Sequence, residues 1–185
     1  MKATGIVRRI DDLGRVVVPK EIRRTLRIRE GEPLEIYVDK EGEIILKKYS
    51  PIADLGHFAK EYADSLNEGT GHIACIADSD VIIAVAGTAK KEFLNKPIGP
   101  AVEQVMQSRQ AVIINDPSST ANSAILEGDE DEAKYSAEVL APIIMEGDSI
   151  GTVILLSKKE GIQMGDLEMK LSQTAAGFLA KQMEH

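Results

Sequence analysis

Hydrophobic and polar positions follow two rhythms along the 185-residue chain. Up to residue 50, apolar residues come in short β-branched runs separated by charged turns. Residues 2–10 alternate roughly and predict a strand that ends at Asp11-Asp12. Val16-Val17-Val18 is continuous and β-branched, which predicts a strand buried on both faces. Gly14 supplies the permissive backbone of the turn between them. Pro19 cannot donate to a sheet ladder, so the strand stops there, and its fixed φ suits the first turn of a helix. Glu21 lies in that turn and Arg23, Arg24 and Arg27 follow, an order that complements the helix dipole. Arg29–Pro33 reads as a turn, and Leu34–Val38 alternates as a half-buried strand should. Asp39–Glu43 is a charged hairpin turn into Ile44-Ile45-Leu46. A β–β–short helix–β–β unit of this size buries too little surface alone, so an intertwined homodimer is predicted.

Past residue 50 the rhythm changes. Ser50-Pro51 is a helix start, a capping residue followed by proline at the first position. Ile52, Leu55, Phe58, Ala59, Tyr62, Ala63 and Leu66 recur at three- and four-residue spacing, predicting a helix over 51–67 that Asn67–Gly71 ends. With so short a junction, Lys47–Pro51 should transmit geometry between the two parts. His72–Ala77 and Val81–Ala86 predict a hairpin across Asp78-Ser79-Asp80. An amphipathic helix over Pro97–Gln110 and a buried strand at Ala111–Ile114 follow. Asn115–Ala137 is long, polar and irregular, the mark of a functional or mobile loop. Val139–Met145 and Ile150–Leu156 predict a hairpin closed at Glu146-Gly147-Asp148, and a last helix covers 166–184. The predicted division is residues 1–50 and 51–185. The apolar stripes of the two flanking helices predict packing against another copy as a bundle, which with a dimeric head makes a tetramer.

Composition sharpens the division. The net charge of −8 averages two unlike parts: residues 1–50 carry 12 Lys and Arg against 9 Asp and Glu, while residues 51–185 carry 10 against 21. Seven of the eight arginines lie between Arg8 and Arg29. That asymmetry suggests a small nucleic-acid-binding module joined to an acidic body. A single cysteine, Cys75, excludes an intramolecular disulfide framework and fits a reducing cytoplasm. Neither a signal peptide nor a membrane-spanning run is expected. Scarce aromatics and the absence of Trp argue against stacking platforms for single-stranded nucleic acid.

Enzyme signatures are missing, so no reaction, cofactor or metal is expected. His57, His72 and His185 lack metal-ligand spacing, and Cys75 reads as a core thiol. The acidic run Glu127–Glu132 lacks the ligand spacing of a calcium loop and reads as a solvated segment that keeps DNA away by repulsion.

The run Leu13-Gly14-Arg15-Val16-Val17-Val18-Pro19-Lys20-Glu21-Ile22-Arg23, within residues 1–50, resembles the swapped-hairpin domain of AbrB-type transition-state regulators. The resemblance implies an all-β dimer of interlocked hairpins with one short helix. Carried over residue by residue, it puts DNA contacts on Arg8, Arg15, Arg23 and Arg24. Lys2, Arg9, Lys20 and Arg27 are secondary candidates on charge and proximity. Arginine suits the role because its planar fork reads phosphate or guanine bidentately, and a dimer doubles the set.

The element order of residues 51–185 resembles an α+β GAF domain, although GAF-like enzymes that reduce methionine sulfoxide need several cysteines. The head, Lys47-Lys48-Tyr49-Ser50-Pro51 and the ending Thr174–Ala180 together resemble sporulation regulators of endospore-forming bacteria. This implies a transcription regulator, activator and repressor, of sporulation genes. Double-stranded promoter DNA, further copies of the chain and an unidentified small-molecule effector are its implied partners. The rival is an antitoxin that neutralises a partner toxin, since such proteins share the head.

Overall fold

The computed structural model describes residues 6–54, 56–116, 123–128 and 135–183. Lys2, Leu55, His185, most of the acidic run and parts of the 115–137 segment lie outside the described residues. The chain divides into two compact units, Met1–Tyr49 and Ser50–His185.

The first unit, the head, holds α1 (Lys20–Thr25) and an antiparallel hairpin of β1 (Leu34–Val38) and β2 (Ile44–Lys48). Leu34 faces Lys48 and Val38 faces Ile44 across the ladder. Pro19 is the one buried residue among those described in this unit. Among the described residues the expected strands at 6–10 and 16–18 form no ladder, and Val16 and Val17 remain 53% and 73% exposed. A strand exists only where a neighbour completes its ladder hydrogen bonds, and the described residues of one copy offer these segments none. Pro19 also falls one position outside the helix: its φ of −57° and ψ of 147° are extended, and α1 begins at Lys20.

The second unit, the body, is a five-stranded antiparallel sheet in the order β4-β3-β7-β6-β5. Its strands are β3 (Ile73–Ala77), β4 (Ile82–Ala86), β5 (Val112–Ile114), β6 (Ala137–Met145) and β7 (Asp148–Ser157). Side-chain alternation sends Ala74, Ile76, Val139, Ala141, Val153 and Leu155 to one face. There they pack under α2 (Pro51–Asp54), α3 (Gly56–Thr70) and α5 (Asp166–Met183). Cys75, Leu140, Ile154 and Leu156 point to the other face, under Phe93 and α4 (Pro100–Ser108). The β6–β7 hairpin turns on two residues, Glu146 and Gly147, both with positive φ (51° and 91°), as a tight two-residue turn requires.

Two helix boundaries and the burial of one strand depart from the pattern-based expectation. α3 reaches Thr70, past the expected end at 67, because Gly71 at φ 70° ends it and donates its N–H to the Asn67 carbonyl. The helix expected over 97–110 shrinks to Pro100–Ser108: Pro97 bridges Val81 in extended conformation, and Arg109 enters the left-handed region at φ 56°. β5 is only half-buried because it lies at the sheet edge. The described part of the 115–137 segment is well built in. Ile125 and Leu126 are buried, Leu126 bridges Ile98, and Gly99 donates to the Ile125 carbonyl at 2.7 Å.

Candidate nucleic-acid interface

The arginines of the head sit on two segments that local chemistry organises. Asp11 builds the first. Its Oδ1 accepts the backbone N–H of Leu13 at 3.0 Å and of Arg15 at 2.8 Å, while its carbonyl accepts Gly14 N–H at 3.0 Å. Gly14 at φ 76° allows the reversal. Oδ2 then receives Arg15 Nε at 2.8 Å. The Arg15 backbone N–H first, and its guanidinium second, hold the Asp11 carboxyl below its ordinary value. Arg15 remains 69% exposed with its Nε edge braced, and its terminal Nη groups are the pair used in bidentate recognition.

Asp39 builds the same turn between β1 and β2. Its Oδ1 accepts N–H from Glu41 and Glu43 at 2.9 and 2.8 Å, its carbonyl accepts Gly42 N–H, and its own N–H donates to the Glu43 carbonyl. Gly42 has φ 84°. The turn at Asp11–Arg15 is therefore a hairpin turn; 6–10 and 16–17 on its flanks are exposed, Val18 is half-buried, and neither flank forms a strand ladder among the described residues.

The second segment is α1 and its exit. Lys20 and Arg24 are exposed, at positions four apart on the same side of the helix. Arg23 is half-buried, and its Nε is a buried donor with no hydrogen-bond partner. Arg27 lies past the end of the helix, with φ at 52°. Arg8 and Arg9 are exposed on the stretch before the Asp11 turn. Fourteen of the eighteen exposed large apolar side chains among the described residues also belong to this unit.

The remaining candidates belong to the body. Cys75 is fully buried, and desolvation pushes its thiol up to about 12, which keeps it protonated and unreactive at neutral pH. Among the described residues no group of His, Cys, Asp and Glu is arranged to hold a metal ion, and no helix is long and apolar enough to cross a membrane. Sequence reasoning passed over Glu138, which is buried in β6 with Oε2 unpartnered. Its signal was a lone acid inside the apolar run 137–145.

Comparisons with known proteins resolve both units. The family model described as Stage V sporulation protein T C-terminal, transcription factor, matches residues 54–184. Stage V sporulation protein T of Bacillus subtilis (strain 168) is 57% identical over 185 residues, which span 100% of this chain and 99% of that protein. The chain belongs to the stage V sporulation protein T family.

Membership in the stage V sporulation protein T family makes this a transcription factor with an AbrB-like head and a GAF-like body. The head is 69% identical over 51 residues to the transition state regulatory protein AbrB of the same organism, covering 28% of this chain and 52% of that protein. A second family model, described as Antidote-toxin recognition MazE, bacterial antitoxin, matches residues 7–54. The body shares its fold with the GAF domain of an Acinetobacter phosphoenolpyruvate-protein phosphotransferase. That alignment has a TM-score of 0.61 at 14% identity and covers 72% of this chain and 89% of the other.

Proposed function

We propose that the chain is a cytoplasmic activator and repressor of sporulation genes that grips promoter DNA through a dimer of swapped-hairpin heads. Arg8, Arg15, Arg23 and Arg24 make the principal contacts, with Lys2, Arg9, Lys20 and Arg27 in support. The observation that carries this reading is the build of the Asp11–Arg15 turn. It has hairpin geometry and a braced, exposed arginine at its fifth position, yet its apolar flanks await strands from another copy. Pairing those flanks across two copies buries Val7, Val16 and Val17, and brings two sets of arginines onto one object.

The body extends the assembly. Phe58, Leu167 and Phe178 are exposed on α3 and α5, and Tyr62 stacks on Phe178 with ring centroids 4.8 Å apart. These residues form an apolar helical face suited to a second body, which joins dimeric heads into a tetramer. The GAF-like fold is also the seat of a small-molecule effector, and residues 51–185 carry the negative charge that keeps DNA on the heads. An antidote role is favoured only by the match over 7–54, whereas residues 54–184 match a transcription factor.

The test is a titration of promoter DNA at several salt concentrations with Arg8, Arg15, Arg23 and Arg24 each changed to Ala. Each variant weakens binding, and each lost phosphate contact makes the salt slope shallower by about 0.9 per protomer. Unchanged affinity in all four overturns the reading.

A further inference from the structure

Lys48 is basic and belongs to the head, yet its charge is turned inward. Its side chain is 20% exposed and that of Glu32 is 14% exposed. Lys48 Nζ donates to the Arg27 carbonyl oxygen at 2.8 Å and stands 3.6 Å from Glu32 Oε1. The other Glu32 oxygen accepts the Arg29 backbone N–H at 2.7 Å. These two side chains hold both ends of the segment 27–29, directly after the arginine helix.

That segment needs holding. Arg27 occupies the left-handed region at φ 52°, which a residue with a Cβ adopts only at a cost. The preceding helix has six residues and cannot sustain itself in water. The segment is also bonded back to the DNA-facing residues: Ile28 N–H donates to the Arg23 carbonyl at 2.7 Å, and Arg27 N–H to the Arg24 carbonyl at 3.3 Å. Lys48 itself is fixed by the β1–β2 ladder opposite Leu34, and its neighbour Tyr49 donates N–H to the Pro33 carbonyl at 3.1 Å.

We propose that Lys48 and Glu32 are positioning residues that set the orientation of α1, and with it Arg23 and Arg24, and that Lys48 makes no phosphate contact. The proposal rests on the DNA-binding reading above. It assigns opposite roles to basic residues of one small unit: the arginines of the Asp11 turn and α1 meet the nucleic acid, while Lys48 braces the backbone that follows α1. It also reverses an electrostatic expectation. Removing an acid from a surface that binds a polyanion ordinarily tightens binding, but removing Glu32 loosens it here.

The experiment uses the full chain and a promoter duplex that the wild type binds, titrated at five salt concentrations with Glu32→Gln, Lys48→Met and Lys48→Arg. Thermal unfolding followed by far-UV circular dichroism runs in parallel. Glu32→Gln and Lys48→Met weaken binding by roughly tenfold at every salt concentration, with the salt slope and the unfolding midpoint unchanged. Lys48→Arg, which keeps a donor and a charge, binds within about threefold of wild type. Tighter or unaltered binding by Glu32→Gln overturns the proposal. So does a slope made shallower by about two in the Lys48→Met dimer, the signature of a phosphate contact in each copy. If Lys48→Met fails to fold, Glu32→Gln decides alone. Failure of the wild type to bind any promoter duplex overturns the underlying DNA reading instead.

Discussion

Glu138 lies in β6 with 1% of its surface exposed and Oε2 unpartnered. Its cross-strand neighbours are Ile114 in β5 and Leu156 in β7, so apolar groups flank it on both sides. Burial alone pushes its carboxyl from 4.5 up to about 8. The folded protein therefore keeps a proton that the unfolded chain has released across the interval between those two values. Stability is fully present below about pH 4.5 and falls as pH rises through about 8, because the native state binds more protons there. Integrated over the interval, the loss is about 5 kcal/mol, comparable with the whole stability of an ordinary domain. Glu138→Gln abolishes the titration while keeping the shape, at a cost of about 1–3 kcal/mol for the added unpaired amide at every pH.

Urea unfolding of the full chain, followed by far-UV circular dichroism at pH 5, 6, 7 and 8, measures the effect. Taking wild type minus variant cancels every other titrating group. The difference favours wild type at pH 5, declines by several kcal/mol on the way to pH 8 and reverses sign before or at pH 8. Parallel stability curves for the two proteins refute the reasoning.

Two further outcomes follow from packing in the body. A methyl added at Gly151 collides with the Ala77 carbonyl oxygen and presses on Ile52 Cδ1 at 3.3 Å, so Gly151→Ala lowers stability by at least about 2 kcal/mol; an unchanged thermal midpoint contradicts that packing. Cys75, fully buried with its thiol pushed up to about 12, resists a disulfide-exchange reagent at pH 8 in the native protein and reacts at once in urea; immediate labelling of the native protein contradicts it.

Periodicity made the body legible because each of its strands finds its neighbours in the same chain. Val139 opposite Leu155 and Cys75 opposite Ile154 are the alternation of the sequence folded onto two faces. The helix ends were harder to read, since Gly71 and Arg109 set them through left-handed backbone that hydropathy does not encode. In the head, the β-branched run Val16–Val18 carried the strand signal, yet a strand needs a partner to close its ladder, and neither flank of the Asp11–Arg15 turn has one among the described residues. The arginines were legible as a cluster and as a resemblance. Which of them are braced was not, because the Asp11 carboxylate and the unpartnered Arg23 Nε depend on local backbone geometry. Glu32 and Lys48 escaped notice because their meeting is set by the β1–β2 register and the fold of the segment after α1.

The two turns built on Asp11 and Asp39 share one frame: an aspartate that caps two amides, a glycine at the fourth position and a free choice at the fifth. In the first turn that choice is Arg15, which folds back onto the capping carboxylate; in the second it is Glu43, whose like charge has no such reason to do so. The frame works as a mount whose fifth position sets the sign of the charge shown at a hairpin tip, independently of the strands that carry it. Exchanging Arg15 and Glu43 would leave both frames standing while moving the cationic tip from the first turn to the second.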